Sequence, residues 1–189
     1  LNGEFDKGTS NWTFTSYSAG AAGTMSIDSN SVLSGEKSCL ADISAISGTD
    51  WHLQLWQWLP VKANLKYKIT YRAKASAAKN IVLCIQQGTS PYTVYYNHAH
   101  ALTTTEQTFT DSFTMNASDQ AKLEFFLGTP GAVKIWIDSV SIIETNTAVP
   151  TSIDNVKTGA GLFNIFPNPA GAVTTLQYTL PVVASVKIT

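Results

Sequence analysis

The sequence predicts an all-β sandwich. Short alternating apolar and polar runs recur between turn-forming segments over residues 1–144, and no long stretch keeps the 3.6-residue apolar period of a helix. Charged residues make up only 13% of the chain, while Ser, Thr, Ala and Gly are abundant, as in many secreted all-β domains. Taken in order, β-branched and aromatic runs place strands at residues 4–6, 12–16, 24–28, 38–44, 51–59, 66–75, 80–87, 92–97, 107–115, 122–127 and 134–143. Gly-, Ser- and Asn-rich pieces separate them, at 20–23, 30–35 and 128–131 among others, which is turn chemistry. After Glu144 the texture changes. Residues 145–161 read as a Thr-, Gly-, Ala- and Asn-rich linker containing Pro150. Two or three further strands follow in 162–169, 174–181 and 183–188, the last ending with the chain. A pattern that stops inside a strand predicts a fragment of a longer protein.

Charge narrows the partners. With 12 basic and 13 acidic residues the net charge is -1, and no Lys/Arg cluster supplies a footprint for nucleic acid or an anionic membrane. No apolar run reaches the roughly 20 residues that cross a bilayer, and Leu1 reads as an excised start rather than a leader. Cys39 and Cys84 leave two readings open, one disulfide or two small buried hydrophobes; Cys39 runs in phase with Ala41 and Ile43, whereas Cys84 runs with Val82 and Gln86.

Residues 51–58 hold three of the five tryptophans. Read as a strand, they send Trp51, Leu53 and Leu55 to one face, expected to be core, and His52, Gln54 and Trp56 to the other. An aromatic plate beside imidazole and carboxamide groups matches the apolar faces and hydroxyl rim of a sugar ring. Acids stand at both ends of the domain. Glu4 and Asp6 flank Phe5, and Asp138 shares its phase with Val140 and Ile142. A buried carboxylate has to be hydrogen-bonded, paired or metal-bound, and Glu4, Asp6, Glu36 and Asp138 with nearby carbonyls could supply calcium's six to eight oxygens. Solvated acids are the other reading. His98 and His100, two apart on one face, lack a third nearby histidine and read as surface residues. A glycosidase needs two carboxyls roughly 5 to 9.5 Å apart; the polar faces of the central strands offer only Glu124. Motifs of nucleophilic, zinc-protease or phosphate-binding sites are missing.

Three pieces, Asn2-Gly3-Glu4-Phe5-Asp6 with Trp12 after it, Trp51 to Gln57 running into Tyr67 to Ala75, and Ile137-Asp138-Ser139-Val140-Ser141-Ile142, together resemble the jelly-roll carbohydrate-binding modules of families four, nine, sixteen and twenty-two. The resemblance spans residues 1–144. It implies a jelly-roll β-sandwich, no catalysis, and a structural calcium at Glu4, Asp6, Glu36 and Asp138. It also implies a glycan groove on the concave face of one sheet. The candidates there are Trp56, Gln54, His52, Arg72, Gln86, Glu124 and Phe126, with Tyr92, Tyr95 and Tyr96 as rim platforms. Trp58, just before Pro60, raises the expectation of a bulge that would shift this phase. The tail, through Phe166-Pro167-Asn168-Pro169 and Leu176 to Pro181, resembles the start of a C-terminal sorting domain of the type IX secretion system of Bacteroidota. That implies a secreted or cell-surface parent with a catalytic domain upstream.

The function expected is binding of a β-linked polysaccharide such as xylan, β-glucan or mannan by a monomeric accessory module of a glycoside hydrolase. The alternative is an adhesion or protein-interaction module of the same fold. A flat apolar patch would favour the alternative, and a groove lined by both aromatic and polar groups would favour glycan.

Overall fold

The computed structural model describes residues 2–145 and two strands beyond them, Phe163–Phe166 and Thr175–Tyr178. The chain divides into two compact units, Leu1–Thr147 and Ala148–Thr189.

The first unit is a sandwich of two five-stranded antiparallel sheets. Its strands are β1 (Thr13–Ser16), β2 (Ala22–Asp28), β3 (Ser38–Ala45), β4 (Leu53–Val61), β5 (Lys66–Ala75), β6 (Lys79–Gln87), β7 (Val94–Leu102), β8 (Gln107–Thr114), β9 (Asp119–Phe126) and β10 (Lys134–Glu144). One sheet has the order β1-β4-β9-β6-β7, and the other β2-β3-β10-β5-β8. From β4 onward the chain changes sheet at every connection but the β6–β7 hairpin, as a jelly roll does. In the second unit the two tail strands, β11 (Phe163–Phe166) and β12 (Thr175–Tyr178), pair antiparallel with Phe163 opposite Tyr178. The expected strand at 183–188 and the expected linker beyond Thr145 lie outside the described residues.

Alternation builds the core. Leu53, Leu55, Leu59 and Val61 of β4, Ile81, Leu83 and Ile85 of β6, and Leu123 and Phe125 of β9 face inward against Ile69, Tyr71, Ala73, Ile135 and Ile137 of the other sheet. Two expectations change at the ends. Residues 4–6 form no strand: Phe5 takes a left-handed φ of 52° and its carbonyl accepts the Gly8 N–H at 2.9 Å. Apolar burial still decides where Phe5 goes, fully inside and stacked 5.5 Å from Trp12. In β10, a register break between Asp138 and Ser141, with Ser139 at φ 50°, uncouples Asp138 from the phase of Val140. The side chain of Ile137 points to the core, and Asp138 stands opposite Arg72 across the strand pair.

The cysteines follow the second of the two readings. Both are free and buried, with burial pushing each thiol up to about 12.

Gly3 latches the N-terminal turn onto β10, its carbonyl accepting the Val140 N–H at 3.0 Å. A Cβ at this position would stand 1.8 Å from the Val140 carbonyl oxygen, a backbone atom. Gly3→Ala is expected to cost about 2–4 kcal/mol, read as a lowered denaturation midpoint of the purified chain. An unchanged midpoint would show that the latch is dispensable.

Candidate functional site

Where the inward phase of the first sheet is core, its outward phase has to carry whatever this sheet presents to solvent. Cross-strand rows define that face: Gln54 beside Phe126 and Val82, Trp56 beside Glu124 and Cys84, and Trp58 beside Lys122 and Gln86. The β4–β9 ladder runs from Gln54 to Val61 without a register break. Trp58 therefore brings no bulge; it continues the outward phase of Trp56, 47% exposed.

Across these rows a cleft of about 500 Å³ opens, lined by Tyr17, Trp51, Gln54, Gln86, Gly88, Tyr92, Val94, Lys122 and Phe126. Its rim is aromatic. Trp51 and Tyr92 are exposed, and Tyr17 lies 6.3 Å from Trp51 between ring centres. Gln54, Gln86 and Lys122 are the polar members of a lining that is otherwise largely apolar. Gln54 donates through Nε2 to the Trp51 carbonyl at 3.0 Å, which leaves its Oε1 buried without a partner. Glu124, in the neighbouring row of the same face, is fully buried. Lys122 Nζ stands 3.7 Å from Glu124 Oε1, at ion-pair distance, and 4.1 Å from the centre of the Trp56 ring. Burial pushes the Glu124 carboxyl up to about 7, against the opposing pull of Lys122. Trp56 is held by its indole N–H, donated to Thr15 Oγ1 at 3.1 Å, and stands edge-on to Trp58. Trp58 in turn covers Gly88, where a Cβ would lie 2.2 Å from the indole ring. Glycine is needed there for space, since a side chain would displace the ring.

Several sequence-predicted residues do converge. Gln54, Gln86, Phe126 and Tyr92 line the cleft, with Trp56 and Glu124 in the neighbouring row. Others do not. Arg72 belongs to β5, in the opposite sheet, where its Nη1 donates to the Leu33 carbonyl at 2.9 Å and pairs with Glu106 at 3.1 Å. Tyr95 and Tyr96 turn away from the cleft to donate their hydroxyls to Asp119 at 2.8 Å and Asp111 at 2.7 Å. His52 stands beside the cleft, its Nδ1 2.6 Å from Ser47 Oγ and its ring edge-on to Trp51. Trp51 reverses expectation most sharply. It lies in a one-turn 3-10 helix, Asp50–His52, ahead of β4, so strand alternation does not reach it, and it is 46% exposed. Tyr17, Lys122 and Gly88 also line the cleft and are absent from the sequence candidates, though the phase that selects Glu124 and Phe126 also selects Lys122.

Of the four expected calcium ligands, two come together. Asp138 is fully buried, and its carboxylate accepts from the N–H groups of Ser34 at 3.0 Å and Ser139 at 2.7 Å and from the Ser38 hydroxyl at 2.7 Å. Ser139 Oγ donates to Glu4 Oε2 at 3.2 Å. Burial, with a smaller contribution from the Glu4 charge, raises the Asp138 carboxyl above the usual range. Asp6 and Glu36 are exposed, and the Asp6 contribution is its main-chain carbonyl, which accepts from Lys37 Nζ at 3.3 Å.

An aromatic-rimmed cleft holding a few polar groups on an outer sheet face of a jelly roll is an arrangement suited to binding sugars. The profile of the family described as "Carbohydrate binding domain", covering families 4 and 9, matches residues 1–133, and the chain belongs to that family. Similar solved structures include one described as "CBM4 structure and function", 25% identical over 76% of this chain and 98% of its own, with TM-score 0.67. The xylan-binding family-22 module of Paenibacillus barcinonensis Xyn10C is 16% identical over 75% of this chain and 90% of its own, with TM-score 0.57. The N-terminal cellulose-binding domain of Cellulomonas fimi β-1,4-glucanase C is 18% identical over 75% and 96%, with TM-score 0.52. No curated protein matches the sequence. Among the described residues no helix is long and apolar enough to cross a membrane.

Glu124 makes stability depend on pH. Its folded value of about 7 lies above the ordinary 4.5, so between those values the native chain keeps a proton that the unfolded chain has released. The stability it contributes is complete below 4.5 and is lost as pH rises to about 7. Urea denaturation across that window should show a decline on the order of 1–3 kcal/mol, flattened in Glu124→Gln; parallel pH profiles for the two proteins would refute this assignment.

Proposed function

We propose that the cleft binds a β-linked polysaccharide chain, of the xylan, β-glucan or mannan type, and that the module keeps an attached glycoside hydrolase near its substrate. The observation that carries this reading is the pairing of an aromatic rim with the polar side chains of Gln54, Gln86 and Lys122 in one cleft. Gln54 Oε1, buried without a partner, is costly unless a donor arrives, and sugar hydroxyls are donors. Trp51 and Tyr92, exposed at the rim, supply flat apolar surfaces for the CH faces of a pyranose ring. A protein-docking surface would instead be expected to centre on a flat apolar patch without such polar groups.

In this reading Lys122 and Gln86 donate to ring or hydroxyl oxygens, and Glu124 accepts when ionised or donates when protonated. Calcium braces the sandwich end where Glu4 and Asp138 meet, supported by two carboxylates linked through one serine and by calcium's preference for carboxylate and carbonyl oxygen. The parent chain is exported to the cell surface or medium, an inference that rests on the sequence motif of the tail, and the module acts as a monomer.

Affinity electrophoresis against soluble β-glycans tests the site. Retardation is expected on at least one of them, weakened about tenfold or more, ~1.4 kcal/mol, in Trp51→Ala and in Gln54→Ala, and unchanged in Arg72→Ala. Mobility unaffected by any glycan would sink the proposal, and equal loss in Arg72→Ala would move the site to the other sheet. Calcium is expected to raise the melting temperature of the full chain, with Glu4→Gln abolishing the rise; a rise retained in that variant would place the ion elsewhere.

A further inference from the structure

The two sheets meet at an open side formed by their edge strands, β7 of one and β8 of the other. Tyr96, His98 and His100 share one phase of β7, opposite the buried Ile85, Leu83 and Ile81 of β6, and so point toward the gap between the sheets. Asp111 reaches the gap from β8. Its carboxylate lies 2.6 Å from His98 Nδ1 and 2.8 Å from His100 Nε2, and accepts the Tyr96 hydroxyl at 2.7 Å. Asp111 is buried, and among the described residues its ion-pair partners are these two imidazoles. Around it stand Tyr71, Phe109 and Phe113, with Tyr71 and Phe109 each in ring contact with His100 and Phe113 stacked on Tyr96.

We propose that His98, His100 and Asp111 form a zinc site that clamps the open side of the sandwich. One ligand atom from each of the three lies within 4.8 Å of the others, and among the described residues this is the group of metal-ligating side chains that converges in this way. Two imidazole nitrogens and one carboxylate oxygen are a donor set that suits zinc better than calcium. A tetrahedral ion with metal–ligand distances of about 2.0–2.2 Å spreads its ligand atoms to roughly 3.3 Å. The carboxylate–imidazole contacts must therefore open by about half an ångström, and the two nitrogens must close on each other. Rotation of the His98 side chain, 55% exposed, would open its own contact and bring the two nitrogens together, and a small turn of the Asp111 carboxylate would open the contact with His100; the exposed side would leave a path for the ion and a fourth position for water. A divalent charge at this position would also compensate the buried carboxylate. Because the ligands come from strands that are not hydrogen-bonded partners, the ion would join the sheets where no backbone ladder does.

The test uses the full chain, stripped with chelator and titrated with cobalt as a spectroscopic substitute and with zinc alone. The expected result is one cobalt per chain with the intense visible bands of a low-coordinate nitrogen and oxygen site, and a melting temperature that rises with zinc concentration. His98→Ala should weaken binding at least tenfold and remove the bands; because it also takes one hydrogen bond from the buried Asp111, its metal-free melting temperature should fall, and the decisive readout is the loss of any zinc-dependent rise above that lower baseline. Absence of bands and of any zinc-dependent rise overturns the proposal. So does a response that survives in His98→Ala, since the metal would then sit at another site.

Discussion

One contact between aromatic rings sets the phase of everything else in this module. Phe125 of β9 meets Tyr71 of β5 edge-on at 4.9 Å between centroids and stacks on Trp12 from the N-terminal turn at 6.1 Å. All three are buried, so one ring joins both sheets and the segment that caps them. A strand has a period of two, and placing Phe125 inside obliges Glu124 and Phe126 to face out. Through the unbroken β4–β9 ladder the same choice turns Gln54, Trp56 and Trp58 outward. A slip of one residue would bury the cleft floor and expose the core, so fold and site are specified by the same burial energy.

That dependence explains what could be read from the sequence. Alternation identified ten of the sandwich strands to within a few residues, because each buries one face. The cleft residues Gln54, Gln86 and Phe126 followed from the same rule. It failed where alternation gives no information. Trp51 belongs to a helical turn, whose side chains follow another period, and Arg72 lies on a strand adjacent to β4 in sequence but in the other sheet. The tyrosines at 95 and 96 were misplaced for a related reason, since a register shift beside Gln86 alters phase at that point. The His98 and His100 pair lacked a third partner in sequence because that partner, Asp111, arrives from the opposite sheet.

The buried carboxylates divide by how they are satisfied. Asp138 takes three hydrogen bonds from its own neighbourhood, and Asp111 of β8 takes three from β7 of the other sheet; both work as internal fasteners. Glu124 has only the Lys122 ammonium, 3.7 Å from one oxygen, on the face that carries the cleft. Leaving a desolvated acid in that state costs stability, and the native state keeps part of that cost low by holding the proton near neutral pH.

The bare backbone at Gly88 carries a different lesson. The indole of Trp58 rests where a side chain would otherwise stand, so the breadth of the groove is controlled by a residue chosen for what it lacks. Under the proposed glycan-binding role, a change at this position would shift the Trp58 ring without altering the polar groups of the cleft, so that shape selection and hydrogen bonding would fall to separate residues.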